Sequence, residues 1–261
     1  MKNFESTLIP IAAGLIFLGL WQWAVTQFDV PHYVLPAPTA ILQSFWENRL
    51  DLLCALGNTA IVTLSAFVLA LISGVALGTL MTQSRLLEQI FWPYAVVLQV
   101  TPIVAVAPLV IIWVGLSRVW LALLILAWLV AFFPMLSNTV VGIKSTEHGL
   151  RNLFTLYGAS RWDRLWRLQL PGALPFILAG ARISAGLSVI GAVVAEFVAS
   201  SGTSTGLAWT IVQSGSMLDV PRMFAALFLL SAFGITIWQI MTIFQTLLLS
   251  RWHESEVSHE L

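Results

Sequence analysis

Few residues of this chain have the type and spacing for chemistry. Gly202-Thr203-Ser204-Thr205-Gly206 fits G-x-S-x-G, the turn that exposes a nucleophilic serine when a strand leads in and a helix leads out. An apolar helical run precedes it instead, so the string reads as a chain reversal built from small residues. Lys2 and Lys144 are the only lysines, and neither follows a glycine. There is therefore no G-x-x-x-x-G-K-[ST] loop to cradle a phosphate, and no ATP hydrolysis by that route. His32, His148, His253 and His259 fall in loops or tails without an H-E-x-x-H pair, so zinc-type catalysis finds no ligands. Cys54, the sole cysteine, permits no internal disulfide and reads as a small, buried apolar side chain. The expectation is a chain with no catalytic residue and no metal site.

The elements that would position any site are apolar. Hydrophobic residues make up 59% of the chain and charged residues 9%, with a mean hydropathy of +0.91, against about 25% charged in soluble domains. The formal charge is +0, which leaves no basic field for nucleic acid. A soluble enzyme, a disordered tail and a nucleic-acid binder are excluded, and an all-α polytopic membrane protein remains. Six stretches are long and apolar enough to cross a bilayer as helices: 8–25, 57–81, 93–114, 119–141, 176–199 and 223–249. They run continuously apolar rather than alternating, which favours helices over a barrel. Six spans place both termini on one side. Lys2, Arg85, Lys144, Arg151, Arg161, Arg164, Arg167 and Arg251 fall in the terminal and even-numbered segments, against Arg49, Arg118 and Arg222 in the others. That asymmetry predicts cytoplasmic termini. Arg182 reads as lying close to a helix end and is counted on neither side. No internal repeat occurs, and 1–261 reads as one domain.

Two connections carry pattern. After Pro31, Pro36 and Pro38, Thr39 reads as the N-cap of a short helix with Ile41, Leu42, Phe45, Trp46, Leu52 and Leu53 on one side, lying at the outer interface or packing on the bundle. The longest cytoplasmic connection, 142–175, is too patterned for a plain linker. Leu153, Phe154 and Tyr157 form an apolar patch, Gly158 interrupts the helix, and Arg161, Arg164 and Arg167 follow at three-residue spacing on a near-common face. Trp162, Leu165, Trp166 and Leu168 occupy other faces, and Pro171 is expected to end the helix. From the residues alone, a membrane-surface helix and a docking element for a cytoplasmic partner remain open.

At this loop the sequence resembles the permease subunits of type I ABC importers, whose signature reads E-A-A-x3-G-x9-I-x-L-P. Gly158, nine residues, then Leu168-Gln169-Leu170-Pro171 reproduce its second half, while Asn152-Leu153-Phe154 stands where Glu-Ala-Ala is expected. Leu35-Pro36-Ala37-Pro38, Thr101-Pro102-Ile103-Val104-Ala105-Val106-Ala107-Pro108-Leu109, Trp113-Val114-Gly115 and Val194-Ala195-Glu196 are similar to the nitrate/sulfonate/taurine-type branch. The ending, Phe224-Ala225-Ala226-Leu227 through Arg251-Trp252-His253-Glu254, is similar to members importing thiamine-precursor pyrimidines or related heterocycles.

The resemblance implies a six-span subunit of a homodimer in the bacterial cytoplasmic membrane. Its partners would be two cytoplasmic ATPase subunits, which would hold ATP and Mg, and an external solute-binding protein; this chain itself would carry no cofactor. Asn152 to Leu165 would form the coupling helix, with Phe154 and Tyr157 as the packed knob, Arg161 and Arg164 at its rim, and Leu168, Leu170 and Pro171 closing the motif. Gln99, Thr101, Pro102, Asn138 and Glu196 would be candidates for the translocation pathway. The solute would be a thiamine-precursor pyrimidine or similar heterocycle, or else an aliphatic sulfonate, taurine, nitrate or another small organic anion. A reading of another class, a proton-coupled secondary transporter with Glu196 as relay, lacks the inverted repeats such proteins carry.

Overall fold

The computed structural model describes residues 2–199 and 205–249, so Ser204 of the G-x-S-x-G string and the 250–261 tail lie outside the described residues. The helices are α1 (Lys2–Gln27), α2 (Pro38–Glu47), α3 (Arg49–Gln83), α4 (Arg85–Val100), α5 (Ile103–Val114), α6 (Val119–Lys144), α7 (His148–Leu156), α8 (Arg161–Arg164), α9 (Leu170–Val198), α10 (Leu207–Ser216) and α11 (Val220–Leu249). By length and composition α3, α6, Arg161–Val198 and α11 can each cross a bilayer, and α4 with α5 makes a further span if the bent pair counts as one. Helix α1 covers the first expected stretch. The protein is all-α among the described residues, as the composition requires.

Two compact units form, Met1–Asn58 with Thr205–Ser231, and Thr59–Ser204 with Ala232–Leu261, within the described residues. In the first, Ile41, Leu52, Ala55, Leu207, Ala225 and Ala226 are buried together, with Trp21 packed against them. Helix α2 starts earlier than expected. Its N-cap is Ala37 and Pro38 occupies the first turn, where a missing N–H costs nothing. Thr39 is therefore inside the helix, and its N–H and hydroxyl both donate to Gln22 Oε1 of α1, at 3.2 and 3.3 Å. The expected apolar stripe splits: Ile41 is buried and Phe45 half-buried, while Leu42, Trp46 and Leu53 are exposed. Cys54 is exposed rather than buried, because Leu52 and Ala55 take the inward positions on α3.

In the second unit, α6 and α9 pack backbone against backbone. A Cβ on Gly180 would meet Asn138 Cβ at 2.7 Å, and one on Gly191 would meet the Ala127 Cα at 2.8 Å. Gly74 and Gly78 of α3 press on Met135 and Thr139 of α6 in the same manner, at 2.8 and 2.9 Å. Small residues at such contacts let helices approach where no hydrophobic force separates protein from lipid. Around these contacts Ala66, Ala107, Leu126, Ala127, Ala192 and Ala195 form the buried core.

Two expectations need correction here. The stretch 93–114 is not one straight span: α4 and α5 meet at 103°. Pro102 pushes Thr101 out of the helical region, to φ −69 and ψ 124, as a proline does to the residue before it. Nor does Pro171 end a helix. It sits in the first turn of α9, and a π-helical turn, Leu165–Gln169, joins α8 to α9. There the Leu170 N–H donates to the Leu165 carbonyl, a wider i→i+5 turn. A proline is accommodated at the start of the helix that follows.

Candidate functional site

The 142–175 connection is helical for most of its length. Helix α7 ends in a turn that its sequence dictates. The Ala159 N–H donates to the Phe154 carbonyl at 3.0 Å, the Gly158 N–H donates to the Thr155 carbonyl at 3.1 Å, and Gly158 has φ +68. This is the 6→1 and 5→2 pair of a Schellman ending, with glycine at the left-handed position. Two residues later a capping box opens α8. The Asp163 N–H donates to Ser160 Oγ at 3.1 Å, and the Ser160 N–H and hydroxyl donate to Asp163 Oδ2 at 3.3 and 2.5 Å. Those bonds from Ser160, helped by the nearby Arg167 charge, hold the Asp163 carboxyl below its usual range. Asp163 is the third residue of α8, within the 142–175 connection and ahead of the apolar run 176–199.

Along α7 and at its end, ahead of these caps, most of the apolar side chains face outward. Leu156 is 85% and Tyr157 83% exposed, with Leu153 also exposed, whereas Phe154 is half-buried and Asn152 exposed. The patch thus centres on Leu156 as much as on the expected Phe154. Arg161 is exposed; Arg164 Nη1 turns back to donate to Thr155 Oγ1 at 3.3 Å. Arg167 faces Asp163 across 3.8 Å, so the three arginines do not act as one face. Leu165 is fully buried while Trp162 and Trp166 are exposed, and Leu168 and Leu170 are half-buried. At the head of the loop, Lys144 of α6 pairs with Glu88 of α4.

A cavity of about 300 Å³ opens at the α4–α5 break. Gln99 and Thr101 line it, with Phe133 and Pro134 of α6 and Leu187 and Ile190 of α9. The Thr101 hydroxyl donates to the Val97 carbonyl at 2.6 Å, which closes the end of α4.

Residues 66–254 match the family model of the binding-protein-dependent transport system inner membrane component. The chain belongs to this family. It is a multi-pass permease of the inner membrane, of the type I ABC importer kind. It is 36% identical to the riboflavin transport system permease protein of Chloroflexus aurantiacus, over 98% of this chain and 94% of that one. It is 31% identical to the formylaminopyrimidine transport permease protein of Halalkalibacterium halodurans, over 90% and 92%. The taurine transport system permease protein of Escherichia coli is 29% identical over 80% of this chain and 77% of its own. All three are named as transport proteins rather than enzymes.

The permease keeps its other two polar candidates away from that cavity's lining. Asn138 Nδ2 donates to the Pro134 carbonyl at 2.8 Å, one turn back on α6, where Gly180 of α9 presses on it. Glu196 is 1% exposed, and its Oε1 accepts from Thr59 Oγ1 of α3 at 2.8 Å. Pro102 shapes the break itself. Sequence reasoning missed Leu156, whose apolar type signals nothing without its exposure. It also misplaced Arg182, which lies in the interior of α9 rather than near an end, with its guanidinium carbon 4.6 Å from the Trp238 ring centroid. A lone arginine inside a predicted span was the available signal.

Proposed function

We propose that this permease works as a homodimer with two cytoplasmic ABC ATPase subunits and an external solute-binding protein, and that the 142–175 segment is the lever on which the ATPases push. One observation carries the reading: an outward apolar patch of Leu153, Leu156 and Tyr157 sits on a short helix, and capped turns tie that helix into Arg161–Val198. Force applied at the patch reaches the membrane through helix rather than slack coil. Large apolar side chains left in water call for a partner that covers them. The excess of basic residues in and around this segment supports a cytoplasmic loop and cytoplasmic termini.

The solute is a small nitrogen heterocycle. Relatives named for riboflavin and formylaminopyrimidine, at 36% and 31% identity, support this choice. An aliphatic sulfonate, taurine or nitrate is the second reading, supported by relatives of those names at 27–30% identity.

The test is reconstitution of the complete importer in proteoliposomes, with ATP hydrolysis and uptake measured together. Phe154→Asp and Leu156→Asp are expected to abolish solute-stimulated hydrolysis and uptake while membrane insertion stays normal. Leu156 is the decisive position, since it is exposed and its replacement removes no core packing. Unchanged stimulation in Leu156→Asp, or uphill uptake by the chain reconstituted without an ATPase, overturns the proposal.

A further inference from the structure

Arg182 of α9 is a charged side chain in the interior of a spanning helix, and no carboxylate pairs with it among the described residues. Its guanidinium lies over Trp238 of α11 instead. A stacked guanidinium keeps its in-plane N–H donors available for an acceptor. Two helical turns further along α11, Gln245 Oε1 is buried and has no hydrogen-bond partner among the described residues. An unpaired buried acceptor is costly, and such a group in a native fold calls for an explanation.

The three side chains line one open cleft of about 510 Å³ whose other walls are Ile183, Leu187 and Ile190. That volume lies within the range of small-molecule sites, which join apolar walls to a few convergent polar groups. Leu187 and Ile190 also line the cavity at the α4–α5 break. The two spaces therefore share a wall along α9.

The geometry points to a solute subsite in this cleft for a planar nitrogen heterocycle carrying a hydrogen-bond donor beside an acceptor on one edge. The acceptor meets Arg182, the donor meets Gln245 Oε1, and the ring lies against the aromatic wall of Trp238. A bare anion such as nitrate or sulfate satisfies Arg182 and leaves the Gln245 oxygen unmet, because at neutral pH it has no proton to donate. An aminopyrimidine edge or the imide edge of a flavin satisfies both. This assignment rests on the permease reading above and narrows its substrate class.

The test uses the full-length chain with its copurifying subunits, in nanodiscs of phosphatidylcholine and without ATP, so that binding is read independently of coupling. Riboflavin and cytosine are the aromatic probes; nitrate and sulfate are the anionic competitors. Saturable binding of an aromatic probe is expected, weakened about tenfold in Gln245→Leu and in Arg182→Met, the scale of a lost hydrogen bond to a charged or buried group. Trp238→Phe is expected to retain most of the binding that Trp238→Leu loses, which separates loss of the ring from loss of fold. Four outcomes overturn the assignment: no aromatic probe binds at millimolar concentration, nitrate or sulfate displaces the probe, the variants bind like the parent, or phosphatidylglycerol added to the nanodisc displaces the probe and so marks a lipid headgroup site. Failure of the importer reading shows elsewhere, as a chain with no ATPase partner.

Discussion

At Gly158 the lever turns on a single dihedral. With φ at +68 and open space where a Cβ would sit, a substitution there meets backbone strain and no clash. Left-handed geometry costs an L-residue about 1–2 kcal/mol, and asparagine pays least. Gly158→Asn is therefore expected to retain coupled uptake. Gly158→Pro, whose ring fixes φ near −65°, is expected to lose it, with hydrolysis and uptake measured in the same proteoliposomes. Ser160 and Asp163 set the other side of the turn. Ser160→Ala removes the box and is expected to cost about 1 kcal/mol at the start of α8, read as faster amide exchange across 161–164. The Asp163 carboxyl is held below its ordinary value by Ser160. The box is consequently complete above about pH 4 and is lost only as pH falls through that lowered value. Corrected exchange protection at these amides should thus stay flat from neutral pH to about pH 5.

Between elements, the approach of α9 to α6 depends on having no side chain at Gly191, where an added Cβ would come within 2.8 Å of the Ala127 backbone. Backbone atoms cannot step aside as a flexible side chain can. Gly191→Leu is expected to force the pair apart and lower thermal stability in detergent by several degrees, whereas Gly186→Leu, with nothing within 4 Å, should leave the melting temperature nearly unchanged. The spacing of apolar runs located the helices because span length is set by the bilayer. Gly74 and Gly78 of α3 stand four residues apart in an apolar run, a spacing that permits close helix approach. Which helix they meet was not legible, since Gly74 and Gly78 have no chemistry that selects α6. The 103° break between α4 and α5 was half legible: Pro102 signals freed backbone, but the angle depends on what packs around it. Pro171 misled for a related reason. A proline reads as a stop unless the turn before it widens, and the π-turn at Leu165–Gln169 leaves no mark in composition. The patch at Leu156 was hidden because exposure is a property of the folded chain. The pairing of Arg182 with Trp238 was hidden because it joins residues far apart in sequence.

For the whole chain, the importer reading is above all a statement about sidedness. An ATPase can push on Leu156 and Tyr157 only from the cytoplasm, and charge supports that placement through lysines and arginines that lie near span ends. Two exposed positions within the same compact unit test it: Tyr157, after α7, and Ser117, in the turn between α5 and α6. One apolar span separates their segments in the proposed topology, so they should face opposite sides. Cys54, exposed on α3, is first replaced by serine to remove background. In intact cells a membrane-impermeant maleimide is then expected to label Ser117→Cys and to spare Tyr157→Cys. After permeabilisation Tyr157→Cys should label too, and bound ATPase should protect it, because the exposed patch would then be covered. Labelling of Tyr157→Cys in sealed cells would place the lever where no cytoplasmic motor can reach it. Labelling of both positions only after permeabilisation would mean that the α5–α6 turn does not reach the outer surface. Labelling without protection by the ATPase would move the contact elsewhere in 142–175. The sidedness of Tyr157 therefore decides whether its exposed ring can be part of the ATPase contact.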